Sequence, residues 1–509
     1  MRIHPKRIAF VLVLSSLLCS AIYFTSGGEM FRRDTLHIHD NHPAKSRIKI
    51  SISTDMVAGK HFGELFIKKI EQPTIKSPAV YKRNSRKDKV VITTKKSKID
   101  KYLERMHNLH QSAHNIFSKD ELIDFYSKER ISEEKFRNVL DIDKDWKLLS
   151  TLFPSPNEEN DRVTDQLRLK LKITKPKNIL IWSGDQTNNR EKLLKDNCNI
   201  KECTVTRDKR LLSHADTVFF AGSAALKRNN KNKNQTWVSF QIESAQNYPT
   251  LSTTSTLNWT ASYRRDSVLN TPYEKFVPYL NVTNLPDKPL KNYAQGKNKL
   301  VAWFVSNCGG HNQRKNYVDE LKKYITVDVY GGCGSLSCVR TDKGCFQMLK
   351  RDYKFYLAFE NSNCKDYVTE KLHWNAYLNN IVPIVMGAHP NDYKKLAPPK
   401  SYIHVDYFKS PAELAEYLKF LDKHDDLYNS YFLWKGTGEF INTKFMCRLC
   451  AMTHLAPHFP MWYDNANKWW KENDICVGRH NGFNYATWKG KQEGKSFVNH
   501  VRYGYKRES

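Results

Sequence analysis

The chain reads as an α/β protein of two parallel-sheet domains that face each other across a cleft, behind an N-terminal membrane anchor and a stem. Three observations predict this. Short apolar runs alternate with helix-length segments from residue 173 onward, a Pro- and Lys-bearing stretch interrupts that rhythm near residue 290, and an uncharged N-terminal run precedes a long charged one. With 509 residues, 40% hydrophobic content, 11 Trp, 26 Tyr and 25 Phe, the chain has the material for two packed cores.

Residues 1–7 carry Arg2, Lys6 and Arg7, and Ile8 to Gly28 has no charged residue. That is the length needed to cross a hydrocarbon core, so 8–28 reads as a signal anchor with a cytoplasmic tail before it and a luminal body after it. A signal peptide cleaved near Ser20-Ala21 is the alternative. Of 11 cysteines, Cys19 lies in the apolar run; the other ten cluster as Cys198/Cys203, Cys308, Cys333/Cys338/Cys345/Cys364 and Cys447/Cys450/Cys476. Disulfides of the secretory pathway are the expected use, because Cys447 and Cys450 lack a second close pair with zinc-ligand spacing. Sequons at Asn234, Asn258 and Asn281 add expected glycosylation sites.

Residues 29–172 are rich in Lys, Ser, Asp and His and poor in long apolar runs, and read as a stem. The stretch FSKDELIDFYSKERISEEKFRNVLDI allows a short helix or self-association there, hence a homodimer through the stem, but a packed domain is not expected. The formal charge of +29 suggests an anionic partner. The stem contributes +8 of it, +7 in the run Tyr81 to Lys101; nucleic acid is not expected as a partner.

The first domain, 173–290, contains the strand-like runs NILIW (178–182), ADTVFFAG (215–222) and WVSFQI (237–242). After LPDKPLKNYAQGKNK (285–299), the second domain, 291–480, contains LVAWFV (300–305), ITVDVY (325–330), YKFYLAFE (353–360), NIVPIVMG (380–387) and SYIHVDYF (401–408). Residues 481–509 are read as a tail. In such sheets ligands sit beyond the carboxyl ends of the strands.

Three turns at that end carry unusual polar content. In SNCGGHNQRKNYVDEL, paired glycines leave room for close backbone approach and Arg314 opens a helix. In FENSNCKDYVTEK the helix is expected to start between Asp366 and Thr369, placing Lys371 in the first turn, where a cation opposes the macrodipole unless an anion lies in front of it. Arg314 and Lys371 together would cradle a diphosphate, whereas either alone could be a solvated charge. Glu360 and Glu370 could bind sugar hydroxyls or pair with neighbouring cations. In WVSFQIESAQNYP, Glu243 directly follows a strand and is the candidate general base, with a helix cap or ion pair as the alternative. In TASYRRDSV, Tyr263, Arg264 and Arg265 offer a second anion contact or a structural pair with Asp266.

On these residues the sequence resembles the α1,3-fucosyltransferases of glycosyltransferase family 10. FYLAFENSNCKDYVTEKLHWNAYLNNIVPIVMG is similar to their donor signature, and CTVTRDKRLLSHADTVFF, WVSFQIES, SYRRDS, WFVSNCGGHNQR and VDVYGGCG extend the match over roughly 173–476. The resemblance implies two facing Rossmann-like domains of GT-B type. It implies Glu243 as the catalytic carboxylate and Arg314 and Lys371 on the GDP diphosphate. Glu370 falls near a sugar hydroxyl and Asn361 and Tyr367 in the donor loop; Tyr263 and Arg264 are further donor-side candidates. Ala245 departs from the family's Glu-Ser-Pro turn, which loosens the expected pose of the base.

The implied reaction moves fucose from GDP-β-L-fucose to a hydroxyl with inversion, in the Golgi membrane. GDP-fucose and N-glycan glycoproteins are the implied partners. No metal or other cofactor is strictly required, and stimulation by Mn or Mg is left open. A metal-dependent rival would need Asp-x-Asp after a strand, and Asp141, Asp143 and Asp145 lie in the charged pre-domain segment instead. FINTKFMCRLCAMTH resembles the enzymes that fucosylate the Asn-linked core GlcNAc more than the Lewis-type enzymes acting on lactosamine antennae. A non-catalytic glycan-binding protein of the same fold is the reading from another class.

Overall fold

The computed structural model describes residues 97–155, 160–184, 193, 195–221, 234–248, 257–339, 342–472, 474–480, 482–493 and 500–504. The expected anchor and residues 29–96 of the expected stem lie outside them. Among the described residues no helix is long and apolar enough to cross a membrane.

The first sheet is wholly parallel. Its strands are β1 (Lys177–Ile181), β2 (Cys203–Thr206), β3 (Thr217–Ala221), β4 (Thr236–Gln241), β5 (Trp259–Ser262) and β6 (Leu269–Asn270), in the order β2-β1-β3-β4-β5-β6. Parallel strands are covered on both faces, so they need apolar side chains in both directions rather than alternation. Every residue of β4 is accordingly buried. Among its polar members, Gln241 donates to the Ser239 hydroxyl. β2, β5 and β6 were not expected from the sequence. They are short and partly polar, and their buried groups find partners locally, as where the Asn270 amide donates to the Tyr263 carbonyl at 2.9 Å.

β7 (Lys275–Pro278) leaves the first sheet, and the second parallel sheet follows with β8 (Lys299–Phe304), β9 (Val327–Tyr330), β10 (Tyr353–Phe359), β12 (Val382–Met386) and β13 (Ile403–His404), ordered β13-β12-β10-β8-β9. β11 (Asn363–Cys364) lies in the turn after β10 and pairs with β16 (Cys476–Val477). The expected strand 401–408 is reduced to two residues, because the His404 ring accepts from the Asp406 amide and starts a 3-10 turn. The antiparallel pair of β7 with β14 (Gly438–Ile441) ties the two halves, and β15 (Met461–Tyr463) pairs with β17 (Val501–Tyr503).

Three boundaries differ from the sequence reading. Residues 97–155 and 160–172, expected as stem, are part of the body. Helices Lys98–His114 and Lys119–Lys135 each begin in a capping box, Ser97 with Asp100 and Ser118 with Glu121. Met106 and Ala113 join the second core, while Phe136, Leu149, Leu152 and Phe153 join the first. A fully buried side chain of this kind contributes about 1.5–3 kcal/mol.

The second domain does not run to residue 480. After β14 the chain crosses back, and the buried helix Phe445–Leu455 completes the first core, fixed by Cys198–Cys447 and Cys203–Cys450. The expected tail is also folded through residue 493: Tyr485 enters the second core and the Trp488 indole donates to the Gly387 carbonyl at 2.9 Å.

The ten cysteines form Cys198–Cys447, Cys203–Cys450, Cys308–Cys333, Cys338–Cys345 and Cys364–Cys476. Cys203, Cys450 and His454 approach metal-ligand distances, but both sulfurs are spent on disulfides and do not coordinate as thiolates.

Candidate active site

Glu243 stands two residues past the end of β4, half-buried and facing the other half of the protein. One oxygen, Oε1, accepts from the Tyr367 hydroxyl at 2.6 Å, the Ser244 amide at 2.8 Å, the Asn361 side chain at 3.2 Å and the Asn247 side chain at 3.3 Å. Burial alone would push the carboxyl up. The bonds from Tyr367, Ser244, Asn361 and Asn247 outweigh it and hold the group below the ordinary glutamate value. The result is an ionised carboxylate facing the turn after β10.

Asn361 and Tyr367 belong to the turn after β10, so both bonds cross between the halves. A third crossing bond joins the Ser244 and Ser362 hydroxyls at 2.9 Å. The turn after Glu243 is fixed by its own backbone: the amides of Asn247 and Tyr248 donate to the Ser244 carbonyl at 3.1 and 3.0 Å.

Glu360 occupies the equivalent place after β10, fully buried. It accepts from the Thr369 amide at 2.9 Å and pairs with Lys371 Nζ at 2.8 Å. Burial, opposed by Lys371, leaves its carboxyl above the ordinary value. The Lys371 ammonium, which burial alone would lower, is raised by Glu360 and Glu370; Glu370 lies 3.3 Å away. Gly387 opposes this site, where a Cβ would come within 2.6 Å of Glu360 Cγ. The helix begins later than expected, with Lys371 opening a π-helical turn, Lys371–Ala376.

Arg314 opens the helix Arg314–Leu321, as expected, but its guanidinium turns back onto the sheet. Nη1 donates to the Phe359 carbonyl at 2.7 Å and Nη2 to the Asn307 carbonyl at 2.8 Å, while Nε is buried without a partner. Its backbone neighbour Asn312 bridges the Glu360 carbonyl and the Asn363 side chain, at 2.9 and 2.8 Å.

Tyr263 and Arg264 are placed differently from the donor-binding expectation. Tyr263 is 1% exposed and packs between Tyr367 and Trp470, with ring centroids 4.9 and 5.6 Å away. Arg264 is fully buried, forks onto Asp266 at 3.0 and 2.7 Å and stacks at 4.0 Å on Trp469. With its donors committed inside the first half, Arg264 is a structural residue. Of the sequons, Asn234 and Asn281 are exposed. Asn258 instead spans β4 and β15, accepting from the Trp237 amide and donating to the Met461 carbonyl. Asp141, Asp143 and Asp145 close a turn on one another's amides rather than reaching the cleft.

Sequence reasoning missed Asn247, Asn312 and Thr369, and the network around Arg265. Arg265 Nε bonds Asp366 at 2.7 Å, Nη2 lies 3.0 Å from Asp392 and 3.3 Å from Glu493, and Lys365 reaches Glu493 at 3.0 Å. This pins the donor turn to the first half. Its one local signal was Asp366 in a turn; there it takes a left-handed φ of 58° that Asp tolerates better than most residues.

The chain matches two family models, "Fucosyltransferase, N-terminal" over residues 174–274 and "Glycosyltransferase family 10 (fucosyltransferase) C-term" over 294–469. It is 44% identical over 345 residues to the glycoprotein 3-alpha-L-fucosyltransferase A of Drosophila melanogaster, covering 64% of this chain and 68% of that one. A human 4-galactosyl-N-acetylglucosaminide 3-alpha-L-fucosyltransferase is 38% identical over 244 residues, covering 46% and 66%. A solved alpha1,3-fucosyltransferase with GDP-fucose aligns over 56% of this chain and 91% of its own at 19% identity and a TM-score of 0.36, too distant to bear on the site. The chain belongs to glycosyltransferase family 10, the fucosyltransferases.

Proposed function

We propose that the protein transfers fucose from GDP-β-L-fucose in α1,3 linkage to the Asn-linked core GlcNAc of N-glycans. The observation that carries the reaction is the ionised Glu243, held at the end of β4 by Asn361 and Tyr367 of the opposite turn. In this reading Glu243 takes the proton of the acceptor hydroxyl while its oxygen attacks the anomeric carbon from the face opposite the phosphate. The C–O bond to GDP breaks as the new one forms, which inverts β to α.

Negative charge then grows on the departing diphosphate. In this reading it is met by Lys371, paired with Glu360 at the end of β10, and by Arg314, whose Nη1 and Nη2 leave the Phe359 and Asn307 carbonyls to do so; a preorganised donor is commonly worth about 3 kcal/mol. Lys371 is shared between Glu360 and Glu370 without substrate, so binding a diphosphate redirects a preformed cation and leaves Glu370 for a sugar hydroxyl. No step in this reading needs a metal; treatment with a chelator, followed by Mn²⁺ or Mg²⁺, tests for stimulation. Residues 8–28 would anchor the enzyme in the Golgi membrane with the body in the lumen, where Asn234 and Asn281 could carry glycans, and a homodimer would use the segment 29–172 read as the stem.

The glycoprotein named as acceptor by the Drosophila relative, at the higher identity and coverage, supports the core reading over the lactosamine one. Incubating protein that begins before Ser97 with GDP-fucose, a trimmed N-glycan glycopeptide and a lactosamine oligosaccharide tests it. Fucose on the innermost GlcNAc is expected. Fucose on the antenna would replace the acceptor, and transfer to neither would favour a glycan-binding protein.

A further inference from the structure

A cavity of about 600 Å³ lies beyond the C-terminal ends of β6 and β12, inside the range of small-molecule sites. Its walls come from helix Lys119–Lys135 with Phe117 before it, residues 160–165, Arg265, residues 272–278 and helix Pro390–Leu396. Two hydrogen bonds link the segment 272–275 to residues beside the active site. The Tyr273 hydroxyl donates to the carbonyl of Ile242, the residue before Glu243, at 2.8 Å. Glu274, on the cavity wall, accepts at 2.7 Å from the indole of Trp374, three residues beyond Lys371 and 49% exposed.

The lining is charged but already paired. Glu121 meets Lys394 at 3.0 Å, Asp124 meets Lys128 at 3.0 Å and Asp161 meets Lys275 at 2.6 Å. Such a wall offers no surplus charge to a phosphate or sulfate. It does offer carboxylate lone pairs to hydroxyl donors, and the rings of Phe125 and Phe276, stacked 6.3 Å apart, to apolar ligand faces. One polar group on the wall is unanswered. Ser132 is 5% exposed, and its hydroxyl is buried without a hydrogen-bond partner. A neutral, hydroxyl-rich ligand with an apolar ring face fits the paired carboxylates and the partly exposed ring of Phe125, and that is the chemistry of a sugar chain.

We propose that this cavity is a second acceptor subsite, holding neutral sugars of the acceptor glycan remote from the one that is fucosylated. The inference rests on the transferase reading above. It gives the helical arm formed by Lys98–His114 and Lys119–Lys135 a part in choosing the acceptor.

The test compares KM for two acceptors in the full chain: asparagine-linked chitobiose, and a glycopeptide with a complete trimmed biantennary glycan. Ser132→Phe fills the cavity. Ile131→Trp narrows it from a side chain that is 58% exposed, and so remains informative if the first variant fails to fold. The wild type is expected to show the lower KM on the larger glycan. Each variant should raise that KM about tenfold, with KM for chitobiose and for GDP-fucose unchanged within about twofold, the pattern of lost uniform binding. Equal KM values for the two acceptors in the wild type, or variants that affect both acceptors alike or neither, would overturn the subsite. Absence of transfer to either acceptor by the wild type would overturn the parent reading instead.

Discussion

Glu243 and Glu360 stand at matching places, each just past the C-terminal end of a central strand in a parallel sheet, yet their surroundings drive them apart. Glu243 is half-exposed and receives four hydrogen bonds on one oxygen, and its pKa falls. Glu360 is sealed in the interior, where burial outweighs Lys371 and the bonds from Thr369, and its pKa rises. Hydrogen bonds stabilise the ionised form without requiring a counter-charge, whereas burial penalises it even when a cation is near. The same residue type at the same topological position thus becomes a free base in one half and a tether for a cation in the other.

The sharpest way to break the contrast is Glu243→Gln. It removes the base while keeping a side chain that can accept from Tyr367, so turnover should fall ~10²–10⁴-fold, with GDP-fucose affinity by calorimetry unchanged. Near-normal turnover would transfer the role of base elsewhere.

Lys371→Met comes next, with turnover falling ~10²–10³-fold. It also strands a buried carboxylate, a loss of about 3–5 kcal/mol unless Glu360 takes up a proton. The double variant Lys371→Met, Glu360→Gln should regain stability in denaturant titrations but not activity. Recovery of both would make Lys371 purely structural.

Arg265→Leu tests what holds the two carboxylates in register. Loss of its bonds to Asp366 and Asp392 leaves buried charges without their partner and should cost about 3–5 kcal/mol, lowering the thermal midpoint. A variant as stable as the parent would show that the disulfide Cys364–Cys476 and the serine pair hold the turn alone.

The smallest effect is expected for Tyr367→Phe. A bond to the ionised form lowers a pKa, so removing it raises that of Glu243. The base works only when deprotonated, and the acid limb of the kcat/KM profile should therefore move to higher pH. A limb that stays in place would assign it to another group.

The strands that position these glutamates were legible because a doubly covered parallel strand must be apolar on both faces, as in TWVSFQ and YKFYLAF. Glu243, Arg314 and Lys371 stood out as charges where those runs stop. The arm was not legible, because it docks as much through polar contacts as through apolar ones: His110 meets the Tyr417 hydroxyl at 2.7 Å and Tyr126 meets Thr437 at 3.2 Å. Such residues look solvated in a sequence. The Arg265 network was equally hidden, since its acids lie about 100 residues away or more, at Asp366, Asp392 and Glu493, and a charge says nothing about where its partner is.

The helix Phe445–Leu455, returning to the first sheet, sets an order of assembly during synthesis. Cys198 and Cys203 leave the ribosome long before their partners, which follow 249 and 247 residues later. At roughly 5–20 residues per second, the first half waits on the order of ten seconds or more with its core open and two thiols unpaired. A stop codon just before residue 445 would leave the first domain without the helix that completes its core and without the partners of both cysteines, although most of the second core precedes it.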